Sequence, residues 1–181
     1  EAQAGRVDGS FHYQFDVGAT LLEMAGGTIP EAWDALSFAP ALTEARDEGR
    51  EHLVITQGAW TCQRAVRFDR YLFVRTYHDG YHAFPELMLF DLEEDPHEER
   101  NLVDECPDKV AVGLAHLVAW LDDIVNTSEG LVDPMWSVLN EGGPFPVRGQ
   151  LPAYLERLRQ TGRAHRADQL EKLHPLEAQK G

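Results

Sequence analysis

Between Glu51 and Leu92 the sequence holds four short strand-like runs: His52–Thr56, Arg64–Phe68, Tyr71–Tyr77 and Leu87–Leu92. Each is rich in β-branched and aromatic side chains, the composition of strands. Only Asp69 and Arg70 separate the second run from the third. Two residues cannot hold a helical crossover, so these strands must pair antiparallel as a hairpin, and the segment reads as a meander of about four strands. Beyond it, Pro107 suits the first turn of a helix, where its missing amide costs nothing. Val110, Leu114, Leu117, Leu121 and Ile124 then recur at spacings of four, three, four and three, which puts them on one helical face laid across the sheet.

The flanking regions are less regular. Residues 1–15 read as a loop running into a short strand. Asp16 is placed to cap a helix whose apolar stripe is Val17, Leu21, Leu22 and Met24, and Gly26-Gly27 ends it through a left-handed cap. Pro30 to Pro40 is irregular, and Ala41 to Gly49 is a short, charged, helical connector. Gly130 to Gly149 reads as an extended loop pinned by Met135, Trp136 and Phe145. Leu151, Tyr154, Leu155 and Leu158 mark a short helix before Gly162, and the tail from Arg163, with Leu170, Leu173 and Leu176, packs on a neighbour or frays.

Thirty-one acidic residues against 16 basic ones give a formal charge of −15 in 181 residues. Phosphate binding needs clustered lysine and arginine, so nucleic acid is excluded as a partner. No apolar run approaches the ~18–20 residues that span a bilayer, and no membrane partner is expected. Two cysteines far apart in sequence do not make a disulfide framework and fit a reducing compartment such as the cytoplasm.

One ordered series of motifs carries a resemblance. Asp16-Val17-Gly18-Ala19-Thr20-Leu21-Leu22-Glu23-Met24-Ala25-Gly26 is followed by Pro30, then by Ser37-Phe38-Ala39-Pro40-Ala41-Leu42, then by Leu89-Phe90-Asp91-Leu92, Asp95-Pro96, Glu98 and Asn101-Leu102. Their order and spacing resemble the C-terminal third of the sulfatases, in the alkaline-phosphatase superfamily. One departure is Ala35-Leu36, where that family usually has a glycine before Ser-[LF]. The resemblance covers roughly residues 7–125. It implies an α+β fold with the antiparallel sheet and long helix at 50–127, preceded at 1–49 by a strand-helix remnant of the large α/β domain. Residues 128–181 form a Pro/Gly-rich extension with short helices.

In intact sulfatases the resemblance implies a formylglycine hydrate attacking the sulfur of a sulfate ester, with calcium or magnesium polarising its oxygens. Neither cysteine fits the C-x-[PA]-x-R precursor: Cys62 begins Cys-Gln-Arg-Ala-Val and Cys106 begins Cys-Pro-Asp-Lys-Val. No catalytic residue, metal ligand or cofactor is therefore assigned to this chain, which is expected to be inactive alone and to wall the pocket for a small sulfate-ester substrate. Its expected partner is the N-terminal catalytic portion, or a second copy of itself. A phosphodiesterase or phosphonate hydrolase of the same superfamily, and a non-catalytic binding module, are the alternatives.

Four residues are candidates for substrate contact. His78 and His82 lie in Tyr77-His78-Asp79-Gly80-Tyr81-His82, between the third and fourth strands, where imidazoles and phenols can rim an anion pocket. The Asp79-Gly80 turn signal breaks the helical spacing that a shared metal would need. Arg64 offers a planar fork that matches a sulfate, with salt bridging to the abundant acids as its other role. Trp60, in the loop before Arg64, is the one tryptophan placed to act as a stacking platform. Asp95, His97, Glu98 and Asn101 read as a structural turn.

Overall fold

The structure, a computed structural model, describes residues 5–44, 46, 48–127 and 132–178. The start of the N-terminal loop, two connector residues and the first residues of the extension lie outside the described residues. The chain divides into two compact units, Glu1–Leu53 and Val54–Gly181.

The first unit holds α1 (Asp16–Met24) and α2 (Ala39–Thr43). Where a strand is expected before α1, there is a single antiparallel rung between Phe11 and Arg50. Asp16 does not cap the helix. Its fully buried carboxylate instead accepts from the Tyr13 amide (2.7 Å), the Leu36 amide (2.8 Å) and the Arg50 guanidinium (2.6 Å). Three segments distant in sequence thus meet at one anion. Thr20 extends the stitching by accepting from the Phe38 amide at 3.0 Å. Gly26 adopts φ 79°, and the Gly26 and Gly27 amides bond back to the Glu23 and Leu22 carbonyls, a Schellman end. The buried face of α1 is Ala19 and Thr20, while Val17, Leu21 and Met24 are exposed. The helical connector begins at Ala39, earlier than expected, because Pro40 suits its first turn and Ser37 Oγ accepts from the Ala39 amide.

The sheet runs in the order β1 (His52–Gln57), β2 (Cys62–Phe68), β3 (Tyr71–His78), β4 (Leu87–Asp91). β2 and β3 form the expected hairpin, with Phe68 opposite Tyr71, and β4 pairs antiparallel with β3. Across the sheet lies α3 (Pro107–Thr127), burying Val110, Gly113 and Leu117 against Val66, Phe68, Phe73 and Leu89. Gly113 is what permits this approach: a Cβ there would lie 2.6 Å from Phe73 Cβ. The Asn101 side chain accepts from the Leu89 amide and donates to the Leu87 carbonyl, and Asp95 accepts from the Glu99 and Arg100 amides. The segment between β4 and α3 is therefore a structural turn. By length and composition alone α3 is long and apolar enough to cross a bilayer, which corrects the expectation that no such stretch exists. Its Val110–Leu117 face is nevertheless spent on the sheet.

The extension is more helical than its Pro/Gly content suggests. Asp133 and Pro134 open α4 (Pro134–Asn140), the Asp133 carboxylate accepting from the Met135 amide. Met135 is buried, but Trp136 and Phe145 are exposed, so they do not pin this segment as expected. A 3-10 turn over Phe145–Val147 leads to α5 (Leu151–Gln160), followed by α6 (Ala164–Leu173) and the short α7 (Pro175–Ala178). Leu151, Leu155 and Leu158 of α5 pack with Ala167 and Leu170 of α6 and with Tyr81 in a second core. The tail is thus integral to the second unit.

Candidate functional site

The loop after β3 sends its polar residues two ways. Asp79 turns inward, its two oxygens accepting from the Tyr81 (3.0 Å) and Ala83 (2.6 Å) amides. These bonds hold Tyr81 and Ala83 at φ 66° and 56°, positions that side chains otherwise avoid. His78 and Tyr81 also turn inward, toward α7. His82 points out, exposed.

Around α7 this makes a cluster that sequence reasoning missed. The Tyr81 hydroxyl meets Glu177 Oε2 at 2.5 Å and the Val147 carbonyl at 3.0 Å. His174 faces Asp79 Oδ1 through Nε2 at 2.7 Å and Glu177 Oε1 through Nδ1 at 3.2 Å. Only the imidazolium donates at both. Burial opposes that charge, but the bond to Asp79 and the two carboxylate charges outweigh it, and the pKa of His174 is raised. Burial likewise works against the Asp79 anion, yet the His174 bond and the two loop amides hold its carboxyl below the usual range.

His78 is the neutral member. Its Nδ1 accepts from the Gly80 amide at 3.1 Å, which leaves the proton on Nε2, 3.2 Å from Glu177 Oε1. Burial pushes its pKa down, and the neighbouring His174 charge adds to this against the pull of Glu177. Burial and the adjacent Glu177 push the Tyr81 phenol up.

His78, His174 and Glu177 offer ligand atoms within 4.8 Å of one another. A metal ion on this mixed nitrogen-oxygen triangle would have to displace the protons of both rings. Calcium and magnesium take shells of oxygen ligands, so the cation implied by the sulfatase resemblance does not fit this cluster. Nor does a nucleophile. Cys62 is fully buried at the start of β2 with its thiol pKa pushed up by that burial, and Cys106 is half-buried before α3.

Two of the four expected contact residues do come together. Trp60 and His82 line one cleft of about 470 Å³, whose other side is α5 with Gln150, Ala153, Tyr154 and Arg157. Gly80 locks the two loops: its φ is 60°, and a Cβ would stand 2.1 Å from the Trp60 carbonyl oxygen. Trp60 remains 64% exposed beside this fixed turn. His78 belongs to the buried cluster instead. Arg64 is committed to Asp133 through two bonds of 2.6 and 2.5 Å, and its guanidinium lies 5.0 Å from the centre of the Trp120 ring. It lines a separate cavity of about 210 Å³ with Tyr77, Met135 and Leu139.

The fold is similar to that of solved proteins. A protein solved in complex with its substrate D-glucosamine-2-N,6-O-disulfate superposes with TM-score 0.52 at 17% identity, over 62% of this chain and 24% of that one. The likeness is one of fold, α+β with a four-stranded antiparallel sheet. A putative sulfatase from Bacteroides fragilis matches at 23% identity and TM-score 0.49 over 67% of this chain and 26% of its own. A 2-O glycosaminoglycan sulfatase matches at 24% and 0.47 over 71% and 28%. No protein-family model matches the sequence. The chain spans about a quarter of the length of these solved structures.

Proposed function

We propose that this chain is the C-terminal part of a sulfatase-family hydrolase acting on sulfate esters, and that it supplies a wall of the substrate pocket and helps select the organic group. The single observation that supports a pocket role is the cleft that joins exposed Trp60 to His82 through the Gly80 turn. The ordered motifs from Asp16 to Leu102 support the family reading. Formylglycine and a calcium or magnesium ion would be supplied by the preceding portion, because the residues described here fit neither. The chain alone is therefore inactive, and no chemical step is assigned to its side chains. Hydrolysis of 4-nitrophenyl sulfate tests this. The purified chain should match a heat-killed control, and a polypeptide that also carries the preceding catalytic portion should hydrolyse the sulfate ester in preference to 4-nitrophenyl phosphate. Turnover by the chain alone, or preference for the phosphate, overturns the proposal.

The partner of the first unit is, on this reading, the preceding portion of the same protein. Phe15, just before α1, and Leu21 on it are 50% and 63% exposed, with Phe11, Tyr13 and Leu22 half-buried. Apolar surface of this kind marks a face that another surface covers, and the chain spans only a quarter of the matched sulfatase structures. Mixing with the separately expressed preceding portion should give a complex that Leu21→Glu weakens. Self-association through the same face is the competing outcome, and a chain that stays monomeric and binds nothing refutes the assignment.

A further inference from the structure

Nearly every arginine in this chain is spoken for. Of the thirteen, only Arg157 has a side chain with neither hydrogen bond nor ion pair among the described residues. That is unexpected in a molecule with 31 acidic residues, where a cation finds a carboxylate easily. A basic residue in the last turn of α5 suits the helix dipole, but Arg159 already fills that role while tied to Asp168 and Glu171. Arg157 instead stands unpaired on the wall of the Trp60 cleft.

Aromatic residues stand beside it there. Tyr154 lies three residues earlier, on the same side of α5, and the adjoining face is fixed by the burial of Leu151, Leu155 and Leu158. The Tyr154 ring lies parallel to Tyr81 at 6.2 Å, which braces it. Trp60 presents an open indole across the cleft, and Gln150 adds an amide. An exposed indole and a phenol offer flat faces to a ring, and a free guanidinium offers two parallel donors to a sulfate or carboxylate. The cleft's roughly 470 Å³ lies in the range of small-molecule sites.

We propose that this cleft is a subsite for a ring bearing a sulfate or carboxylate substituent, with Arg157 pairing the anion and Trp60 and Tyr154 holding the ring. This rests on the reading of the chain as the substrate-selecting part of a sulfate-ester hydrolase. It assigns to the extension, through α5, the anion-binding group that the motif-bearing region does not offer at this cleft, since Arg64 is occupied by Asp133 and lines a separate cavity.

Binding to the full chain tests it without any hydrolysis. The Trp60 indole N–H signal, identified with Trp60→Phe, is followed by NMR during titration with N-acetylglucosamine 6-sulfate, unsulfated N-acetylglucosamine, 4-nitrophenyl sulfate and inorganic sulfate. The sulfated sugar or the aryl sulfate should shift that signal saturably, and whichever binds tighter identifies the ring. Arg157→Gln should weaken its binding roughly tenfold, bringing it toward the unsulfated sugar, while Arg163→Gln, outside the cleft, should change nothing. Inorganic sulfate alone should bind far more weakly. No saturable shift with either ring sulfate, or binding indifferent to Arg157→Gln in a variant whose circular dichroism is unchanged, overturns the subsite. Binding that depends on Arg157, in a parent that hydrolyses only phosphate esters, leaves the subsite standing and removes the sulfatase reading instead.

Discussion

Replacing Asp133 by Ala probes how the extension is fastened to the sheet. Arg64 and Asp133 are 69 residues apart in sequence, yet their side chains are only 3% and 4% exposed and meet through two bonds of 2.6 and 2.5 Å. The Arg64 bond is the main reason the Asp133 carboxyl is held below the usual carboxylate range. Asp133→Ala would leave a guanidinium buried without its counter-charge, and Arg64 Nε already has no hydrogen-bond partner among the described residues. Breaking a buried pair from one side costs about 3–5 kcal/mol, and the lost bond to the Met135 amide is part of that total, at about 1 kcal/mol for a helix cap. Set against roughly 5–15 kcal/mol for a whole domain, this is a large fraction of the stability.

Asp133→Asn separates the contributions, because the amide oxygen can still cap α4 while the charge is gone. Arg64→Met with Asp133→Leu removes both charges and should recover most of the loss, since a buried pair exchanged for apolar residues is often close to neutral. Urea unfolding followed by circular dichroism gives the numbers. The reasoning fails if Asp133→Ala costs under about 1 kcal/mol at an unchanged m-value, or if the double variant is as unstable as the sum of the singles.

Leu117→Ala should cost about 2–5 kcal/mol in the same assay, as Leu117 is 2% exposed between α3 and the sheet; a neutral result would mean that α3 is not docked there. The pH profile should carry the signature of His174. A raised folded pKa means its contribution is complete below about pH 6.5, the unfolded value, and is lost as pH rises through the folded value. His78, with a lowered pKa, works the other way, contributing above about pH 6.5 and less as the pH falls below it. Asp79, also lowered, contributes in full above about pH 3.9 and loses that contribution only as the pH falls below it. Thermal melts from pH 5.5 to 9 should show stability falling on the alkaline limb for the wild type and a flatter limb for His174→Gln; superimposable profiles would refute the assignment.

What the sequence disclosed followed the range of the interactions involved. The sheet was legible because strand composition is a local signal and a two-residue link leaves one pairing available. α3 was legible from its apolar spacing, although the Gly113–Phe73 contact that sets its distance was not, since nothing in the period marks which neighbour a glycine will meet. Asp133-Pro134 carried a cap and a first-turn proline, but the surrounding glycines and prolines masked that start of α4. Trp60 and His82 could be picked out as loop residues with suitable chemistry. Arg64 could be read as sulfate ligand or salt-bridge partner, and a pairing across 69 residues decided which. Arg157 could not be found at all, because being unpaired is a property of the fold.

Tyr81 joins the buried cluster to the cleft, and it can be taken apart one group at a time. Its ring packs in the second core and lies parallel to Tyr154, while its hydroxyl reaches Glu177 and the Val147 carbonyl. Tyr81→Phe keeps the ring, so the α5 wall should stay in place and binding in the cleft should be nearly unchanged. It removes a hydrogen bond to a charged partner, worth about 1.5–3 kcal/mol, and amide hydrogen exchange should therefore speed up around α7, where Glu177 loses that anchor. Tyr81→Leu removes the hydroxyl and the ring together. It should loosen α7 similarly and in addition free Tyr154, lowering affinity in the cleft through a change 70 residues before the start of α5 in sequence. Equal binding losses in the two variants would show that the hydroxyl, and not the ring, sets the cleft, and the separation drawn between cluster and cleft would then be wrong.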